Sequence, residues 1–116
     1  MEPMKTELSP ENRALGADTL TIRLEGPVDM ETVPGLRKRL VEAARRGALR
    51  EVHLDFSRVT FLDTSGVAML VEIWRASANR DGQVRLSGLS DNARKLIELA
   101  RLDQIFVITD DLKVRA

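Results

Sequence analysis

The segment LDFSRVTFLDTSGV, residues 54–67, joins a predicted strand to a predicted helix and contains the most informative residues of the chain. Apolar and polar residues alternate from Val52 to Phe56, which is typical of a strand with one buried face. From about Thr64 to Asn79 the apolar residues recur at helical spacing instead. The segment is therefore predicted to be a strand-to-helix junction, with a short polar loop where the two periodicities meet.

The loop Asp63-Thr64-Ser65-Gly66 places a carboxylate, two hydroxyls and a glycine at the first turn of this helix. The free backbone N–H groups of a helix start carry partial positive charge and favour anions. A phosphoryl group on Thr64 or Ser65 would lie in that field and would add about −1.5 to −2 charges beside Asp63. The same residues also fit a purely structural interpretation, in which Asp63 or Thr64 is the N-cap and the next two residues only start the helix.

Further strands and helices are predicted on both sides of the junction. They are a strand over 20–25 ended by Gly26-Pro27, a helix over about 31–46, a strand over 84–86, a helix N-capped by Ser90 and a strand over 105–108. Strands that alternate with helices form parallel βαβ units with right-handed crossovers. Because apolar and polar residues alternate along the strands, one face of the sheet stays uncovered. We therefore predict an α/β fold with the helices mainly on one face.

The chain of 116 residues has the length of one domain, which we place at residues 19–109. Residues 1–18 form a polar segment that can include an edge strand, and residues 110–116 form a polar tail. The first residues lack the apolar region of a secretion signal, and no apolar run approaches the about 20 residues that span a bilayer. We therefore expect a cytoplasmic protein that does not insert into the membrane.

Composition excludes several kinds of function. The sequence has no cysteine and one histidine, His53, so it lacks thiolate nucleophiles, sulfur-based zinc sites and multi-histidine metal sites. Asp29, Asp55 and Asp63 are too scattered to predict a metal site. The 18 Lys and Arg residues balance 18 Asp and Glu residues, which gives no overall attraction to nucleic acid. We therefore predict a binding protein rather than an enzyme, with no catalytic residues, no cofactor and no metal.

The helix that follows the junction has a predicted buried stripe along one side. The stripe consists of Val67, Leu70, Val71, Trp74 and Ala78. Met69 and Ile73 lie beside this stripe and are open to two interpretations. They pack under the edge of a neighbouring helix, or they form an apolar docking patch beside Thr64. We include both residues among the predicted partner-binding residues.

Three segments, taken in order, resemble the STAS domain family, which comprises sulphate-transporter and anti-sigma-factor-antagonist domains. They are LTIRLEGPVD at 20–29, LDFSRVTFLDTSGVAMLVE at 54–72 and VRLSGLSDNARKLIELARLDQIF at 84–106. The resemblance covers the chain from about Leu20 to Ile108. It implies a mixed sheet of four to five strands with helices mainly on one face.

The resemblance also implies a function and a site. Stand-alone bacterial members of the family are anti-sigma factor antagonists, whose partner is an anti-sigma factor that is also a serine-threonine kinase. By position, Thr64 is the phosphoacceptor, with Ser65 as the alternative. Asp63 is the flanking carboxylate, Gly66 permits close approach of the partner backbone, and Asp29 matches an acidic family position near the same loop.

One departure from the family pattern keeps a second function open. The acceptor position holds Thr64, whereas most kinase-regulated members have serine there. A threonine at this position also resembles the STAS subunit of Mla-type ABC transporters, which carry phospholipids. In that alternative the protein binds the ATPase subunit of the transporter through the same loop and helix, without phosphorylation.

Overall fold

A five-stranded sheet carries three α-helices in the computed structural model, which describes residues 6–8, 19–45 and 49–109. The strands are β1 Thr6–Leu8, β2 Thr19–Val28, β3 Glu51–Leu62, β4 Gln83–Ser87 and β5 Val107–Thr109. The helices are α1 Val33–Arg45, α2 Thr64–Ala78 and α3 Asp91–Leu99, with a 3-10 turn at Leu102–Gln104. The predicted tail at 110–116, the end of the first helix at Arg46 and most of the segment 1–18 lie outside the described residues.

The strands follow one another across the sheet in the order β1-β2-β3-β4-β5. β1 is antiparallel to β2, and every other neighbouring pair is parallel. When consecutive parallel strands always step in the same direction, right-handed crossovers place all connecting helices on one face. The predicted α/β fold, with a mixed sheet and helices on one face, is confirmed.

The hydrophobic core lies between the sheet and the helices. Its fully buried side chains come from alternate strand positions and from the inner faces of the helices, and they include Ile22, Leu54, Leu86, Leu40, Leu70 and Ile97. The opposite face of the sheet is polar. There His53 Nε2 lies 2.7 Å from Ser87 Oγ and its Nδ1 lies 3.3 Å from Thr21 Oγ1. The apolar residues of the strands thus face the helices, and the polar residues lie on the opposite face of the sheet.

β2 and β3 are longer than the sequence pattern predicts. β2 continues through Gly26 and Pro27 to Val28, and β3 continues past Phe56 to Leu62. Two register shifts interrupt their pairing, and in each of them β3 contains one extra residue. Such bulges break the period-two pattern while the pairing continues, which is why the predicted strands stop too early. The extension brings Val28 opposite Leu62 at the carboxyl edge of the sheet.

The buried face of α2 differs from the predicted stripe. Its buried residues are Gly66, Val67, Met69, Leu70, Ile73, Ala76 and Ser77. Of the predicted stripe, Val71 and Trp74 are only partly buried, and Ala78 is exposed. The prediction fails because α2 packs against α1 as well as against β3 and β4, so its buried face is rotated from the one that the helical wheel favours. Within the described residues, no helix combines the length and the apolar character needed to cross a bilayer.

Candidate functional site

The predicted loop lies where β3 passes directly into α2, with Asp63 as the only residue between them. Because β2 and β3 are parallel neighbours, the loop between β2 and α1, residues 29–32, lies beside this junction. The backbone N–H of Asp63 donates to the carbonyl oxygen of Val28 at 3.2 Å, which extends the strand pairing by one step. The end of β3 therefore fixes the start of α2 against the neighbouring strand.

The Asp63 carboxylate holds both loops together. Its Oδ1 accepts the backbone N–H of Gly66 at 3.1 Å, which makes Asp63 the N-cap of α2. Its Oδ2 accepts the backbone N–H of Met30 at 3.2 Å from the loop after β2. The capping interpretation of Asp63 is therefore confirmed. The same side chain also bridges to the neighbouring loop, which the sequence pattern does not reveal.

Asp29 organises the loop after β2. Its Oδ1 accepts the backbone N–H groups of Glu31 at 3.0 Å and of Thr32 at 3.2 Å. In return, Thr32 Oγ1 accepts the backbone N–H of Asp29 at 3.0 Å and donates to the carbonyl oxygen of Pro27, also at 3.0 Å. The acidic group predicted near the junction thus lies beside it, and it helps hold that loop in one conformation.

Thr64 and Ser65 are the first two residues of α2, immediately after the cap. The Thr64 side chain is exposed, whereas Ser65 is partly buried. The first turn of a helix has backbone N–H groups without intrahelical partners, and its dipole favours negative charge. A phosphoryl group on Thr64 would meet this favourable field and would also lie close in sequence to the Asp63 carboxylate. The geometry therefore combines an accessible hydroxyl with a local charge that one modification can change strongly.

Gly66 is buried, and its neighbours belong to this chain. A Cβ at this position would lie 2.5 Å from Leu62 Cδ1 and 2.9 Å from both Val28 Cγ1 and the Val28 carbonyl oxygen. The prediction that Gly66 allows a partner backbone to approach is therefore wrong. The glycine is needed because the first turn of α2 packs directly on the end of β2.

The predicted apolar docking patch at Met69 and Ile73 is also wrong. Met69 is 1% exposed and Ile73 is 0% exposed, so both are core residues of α2. The exposed apolar side chains near the junction are instead Met30, at 71%, and Phe61, at 56%. Met30 donates its backbone N–H to Asp63, and Phe61 precedes Asp63 by two residues on the bulged end of β3.

The sequence offers only a weak signal for these two exposed side chains. Met30 directly follows the loop residue Asp29, where a large apolar residue has no core to enter. Phe61 continues an apolar alternation that starts at Val59, but Leu62, one residue later, is the side chain that is buried. The two bulges add two residues in all, so Leu62 keeps the buried phase of Val52, Leu54 and Phe56, and Phe61 lies on the opposite side of the strand.

The described residues contain no group of three His, Asp or Glu side chains that could hold a metal ion. The single histidine of the chain lies on the polar face of the sheet, ten residues before Asp63, where it contacts Ser87 and Thr21. The groups that this edge of the sheet offers are the two hydroxyls at the start of α2, the two carboxylates that accept backbone N–H groups, and two exposed apolar side chains. They belong to Thr64 and Ser65, Asp63 and Asp29, and Met30 and Phe61.

Comparison with known proteins extends over most of the chain. A family model described as the STAS domain matches residues 11–114. The anti-sigma-B factor antagonist of Staphylococcus epidermidis is 24% identical over 97 residues, which cover 84% of this chain and 89% of that protein.

Two solved structures share the fold. The anti-sigma factor antagonist SpoIIAA in its unphosphorylated form superposes with a TM-score of 0.75 and 24% identity, covering 95% of this chain and 92% of that one. The Bacillus cell fate determinant SpoIIAA in the phosphorylated form superposes with a TM-score of 0.69 and 24% identity, covering 95% and 96% of the two chains.

Proposed function

The chain belongs to the STAS domain family, and we propose that it is an anti-sigma factor antagonist switched by phosphorylation of Thr64. Its partner in this proposal is an anti-sigma factor that is also a serine-threonine kinase, and its place of action is the cytoplasm. The name of the staphylococcal relative supports this role over that of a transporter subunit. The protein then works by binding and release, without catalysing a reaction itself.

The observation that carries the proposal is the exposed Thr64 hydroxyl at the start of α2, directly after a cap that is already formed. A kinase needs a hydroxyl that it can reach, and Thr64 is the more exposed of the two hydroxyls in the loop. The cap fixes the position of this hydroxyl because the Asp63 carboxylate accepts hydrogen bonds from the backbone N–H groups of both Gly66 and Met30. Because the Thr64 hydroxyl is accessible and already held in position, a kinase can bind it with little loss of conformational entropy in the loop.

The switch follows from local charge. In the unphosphorylated protein the loop presents the Thr64 hydroxyl with the exposed apolar side chains of Met30 and Phe61 nearby, a combination suited to a partly apolar interface. A phosphoryl group adds about −1.5 to −2 charges where Asp63 and Asp29 already carry negative charge. Burying that added charge in the same interface is costly unless it is paired, so the phosphorylated form releases the partner.

Phosphorylation is tested with an anti-sigma factor kinase from the same organism, ATP and intact-mass spectrometry followed by peptide mapping. We expect one phosphate on the wild-type protein and on Ser65→Ala, and none on Thr64→Val. Ser65→Ala is the matched control because it removes the neighbouring hydroxyl of the same turn. A phosphate that persists in Thr64→Val and disappears in Ser65→Ala would move the acceptor to Ser65, and a protein that takes up no phosphate would refute the switch.

Binding is tested separately by calorimetry against the same kinase. Thr64→Val keeps the size of the side chain and adds no charge, so it should bind about as tightly as the wild type. Thr64→Glu adds a negative charge at the helix start and should bind at least about tenfold more weakly. Equal affinities for the two variants would show that the loop is not the interface.

Co-purification with an ABC ATPase in place of the kinase would favour the transporter alternative.

A further inference from the structure

An arginine-rich groove lies between α1 and α2, on the outer side of the helices. We call it the arginine groove. Its lining includes Arg37, Val41 and Arg45 from α1, and Glu72, Arg75 and Ala76 from α2. The groove has a volume of about 450 Å³. The positions on α1 are four residues apart, and Arg75 and Ala76 follow Glu72 by three and four residues, so each helix contributes one continuous strip of its surface.

The groove has a positive rim and an apolar floor. Val41 is partly buried against the core and Ala76 is 8% exposed, whereas Arg45 and Arg75 are exposed. The whole chain is formally neutral, with 18 Lys and Arg residues against 18 Asp and Glu residues. The positive charge of the rim is therefore local and does not reflect a net charge of the chain.

The groove already binds one carboxylate that belongs to the chain itself. Arg37 donates to Glu72 through Nε and through Nη2, the latter at 2.9 Å, in a two-point arrangement. Arg75 and Arg45 lie close enough to act on the same carboxylate electrostatically. Guanidinium groups pair with planar carboxylates in this two-point manner more readily than ammonium groups do. The Glu72 pair thus shows the chemistry that a further carboxylate would meet in the groove.

The spacing of the charges favours an extended ligand over a single small anion. Arg37 and Arg45 are eight residues apart on α1, which corresponds to about 12 Å along the helix. One phosphate cannot contact both ends of such a strip. Several carboxylates spread along a peptide, with an apolar side chain over the floor, fit better.

We propose that the arginine groove docks an acidic amphipathic segment of a protein partner. Carboxylates of the segment pair with Arg45 and Arg75, and an apolar side chain lies over Val41 and Ala76. This surface is separate from the loop at Thr64 and does not depend on the proposed function, because neither arginine belongs to the switch.

The test uses fluorescence anisotropy with a labelled amphipathic peptide of glutamate and leucine at helical spacing. We expect salt-sensitive binding to the wild type and a loss of at least about tenfold in the double variant Arg45→Gln/Arg75→Gln. The matched control is Lys38→Gln/Arg39→Gln, which removes two exposed cations from the same surface region outside the groove lining and should bind as the wild type does. Urea denaturation of each variant verifies that the fold is intact.

Three results would overturn the proposal. The first is absence of peptide binding at low ionic strength, where charge pairing is strongest. The second is an equal loss of binding in the groove variant and in the control variant, which would indicate general charge attraction. The third is binding of inorganic tripolyphosphate, but not of the peptide, at the two arginines, which would assign the groove to a small anion. None of these measurements involves the kinase, so the outcome is independent of the Thr64 switch.

Discussion

The carboxylate of Asp63 accepts the backbone N–H of Met30 at 3.2 Å, although the two residues are 33 positions apart in the sequence. The other carboxylate oxygen accepts the N–H of Gly66 at the start of α2. One side chain therefore caps the helix that carries Thr64 and also fixes the neighbouring loop that carries an exposed methionine. The shape of the candidate interface depends on this double contact.

Replacing Asp63 by alanine should lower the free energy of unfolding by about 1–3 kcal/mol, because a helix cap and an inter-loop hydrogen bond are lost together. Asp63→Asn should lie between Asp63→Ala and the wild type, since its single carbonyl oxygen can accept the N–H of Gly66 or that of Met30 but not both. Urea denaturation followed by circular dichroism measures both variants. If Asp63→Ala is as stable as the wild type, the double contact does not hold the loops together.

Gly66→Ala should destabilise the protein by about 1–3 kcal/mol, because the new Cβ would overlap Leu62 and the backbone of Val28. Gly35→Ala is the matched control, since it lies in α1 and its Cβ would meet nothing within 4 Å. That control should instead gain up to about 1 kcal/mol from the higher helix propensity of alanine. Thermal and urea unfolding of the two variants should therefore shift in opposite directions. Equal shifts would mean that Gly66 is not under steric constraint.

If the proposed partner kinase contacts the loop after β2 and the end of β3, the double variant Met30→Ser/Phe61→Ser should weaken its binding by at least about tenfold, because it removes the exposed apolar side chains of these two segments. Its stability should change little, since both side chains are largely exposed. Leu99→Ser serves as the control, because Leu99 is 76% exposed on α3, away from the junction between β3 and α2. Calorimetry measures the affinities. A comparable loss in Leu99→Ser would place the partner elsewhere.

Stability should depend on pH through the pair Arg37 and Glu72. The hydrogen bond from Arg37 holds the pKa of Glu72 below its ordinary value, although desolvation acts in the opposite direction. A carboxyl with a lowered folded-state pKa stabilises the protein above its ordinary pKa, and this contribution is lost as the pH falls through the folded value. Glu72→Gln should therefore have a lower urea midpoint than the wild type at neutral pH.

The same midpoints should converge as the pH falls through the folded-state value, because Glu72 is then protonated in both the unfolded and the folded chain. The effect is small because both side chains are partly exposed, at 51% and 41%, and added salt should reduce it further. The control is the same Glu72→Gln change in an Arg37→Gln background, where the pair is already broken and the pH-dependent difference should be smaller. A difference for Glu72→Gln that persists unchanged at low pH would rule out the ion pair as its cause.

The location of the candidate site could be predicted from the sequence, because the signals are local. The change from period two to helical spacing marks the end of β3, and Asp63 followed by Gly66 marks a capped helix start. The exposure of the side chains around it could not be predicted in the same way. Gly66, Met69 and Ile73 are predicted to bind a partner and are buried, whereas Met30 and Phe61 are exposed and the sequence pattern does not single them out.

The sequence by itself determined the order of the elements, the parallel α/β architecture and the position of the Thr64 loop. These features depend on periodicity and helix capping, which involve residues close together in the sequence. The tertiary structure decided the rest. The pairing with β2 through two bulges carried β3 on to the junction, and the packing of α2 on α1 set which side of α2 faces the core. The hydrogen bond between Met30 and Asp63 connects residues far apart in the chain, and the arginine groove is lined by residues of two different helices. Both therefore form only when the strands and helices have packed.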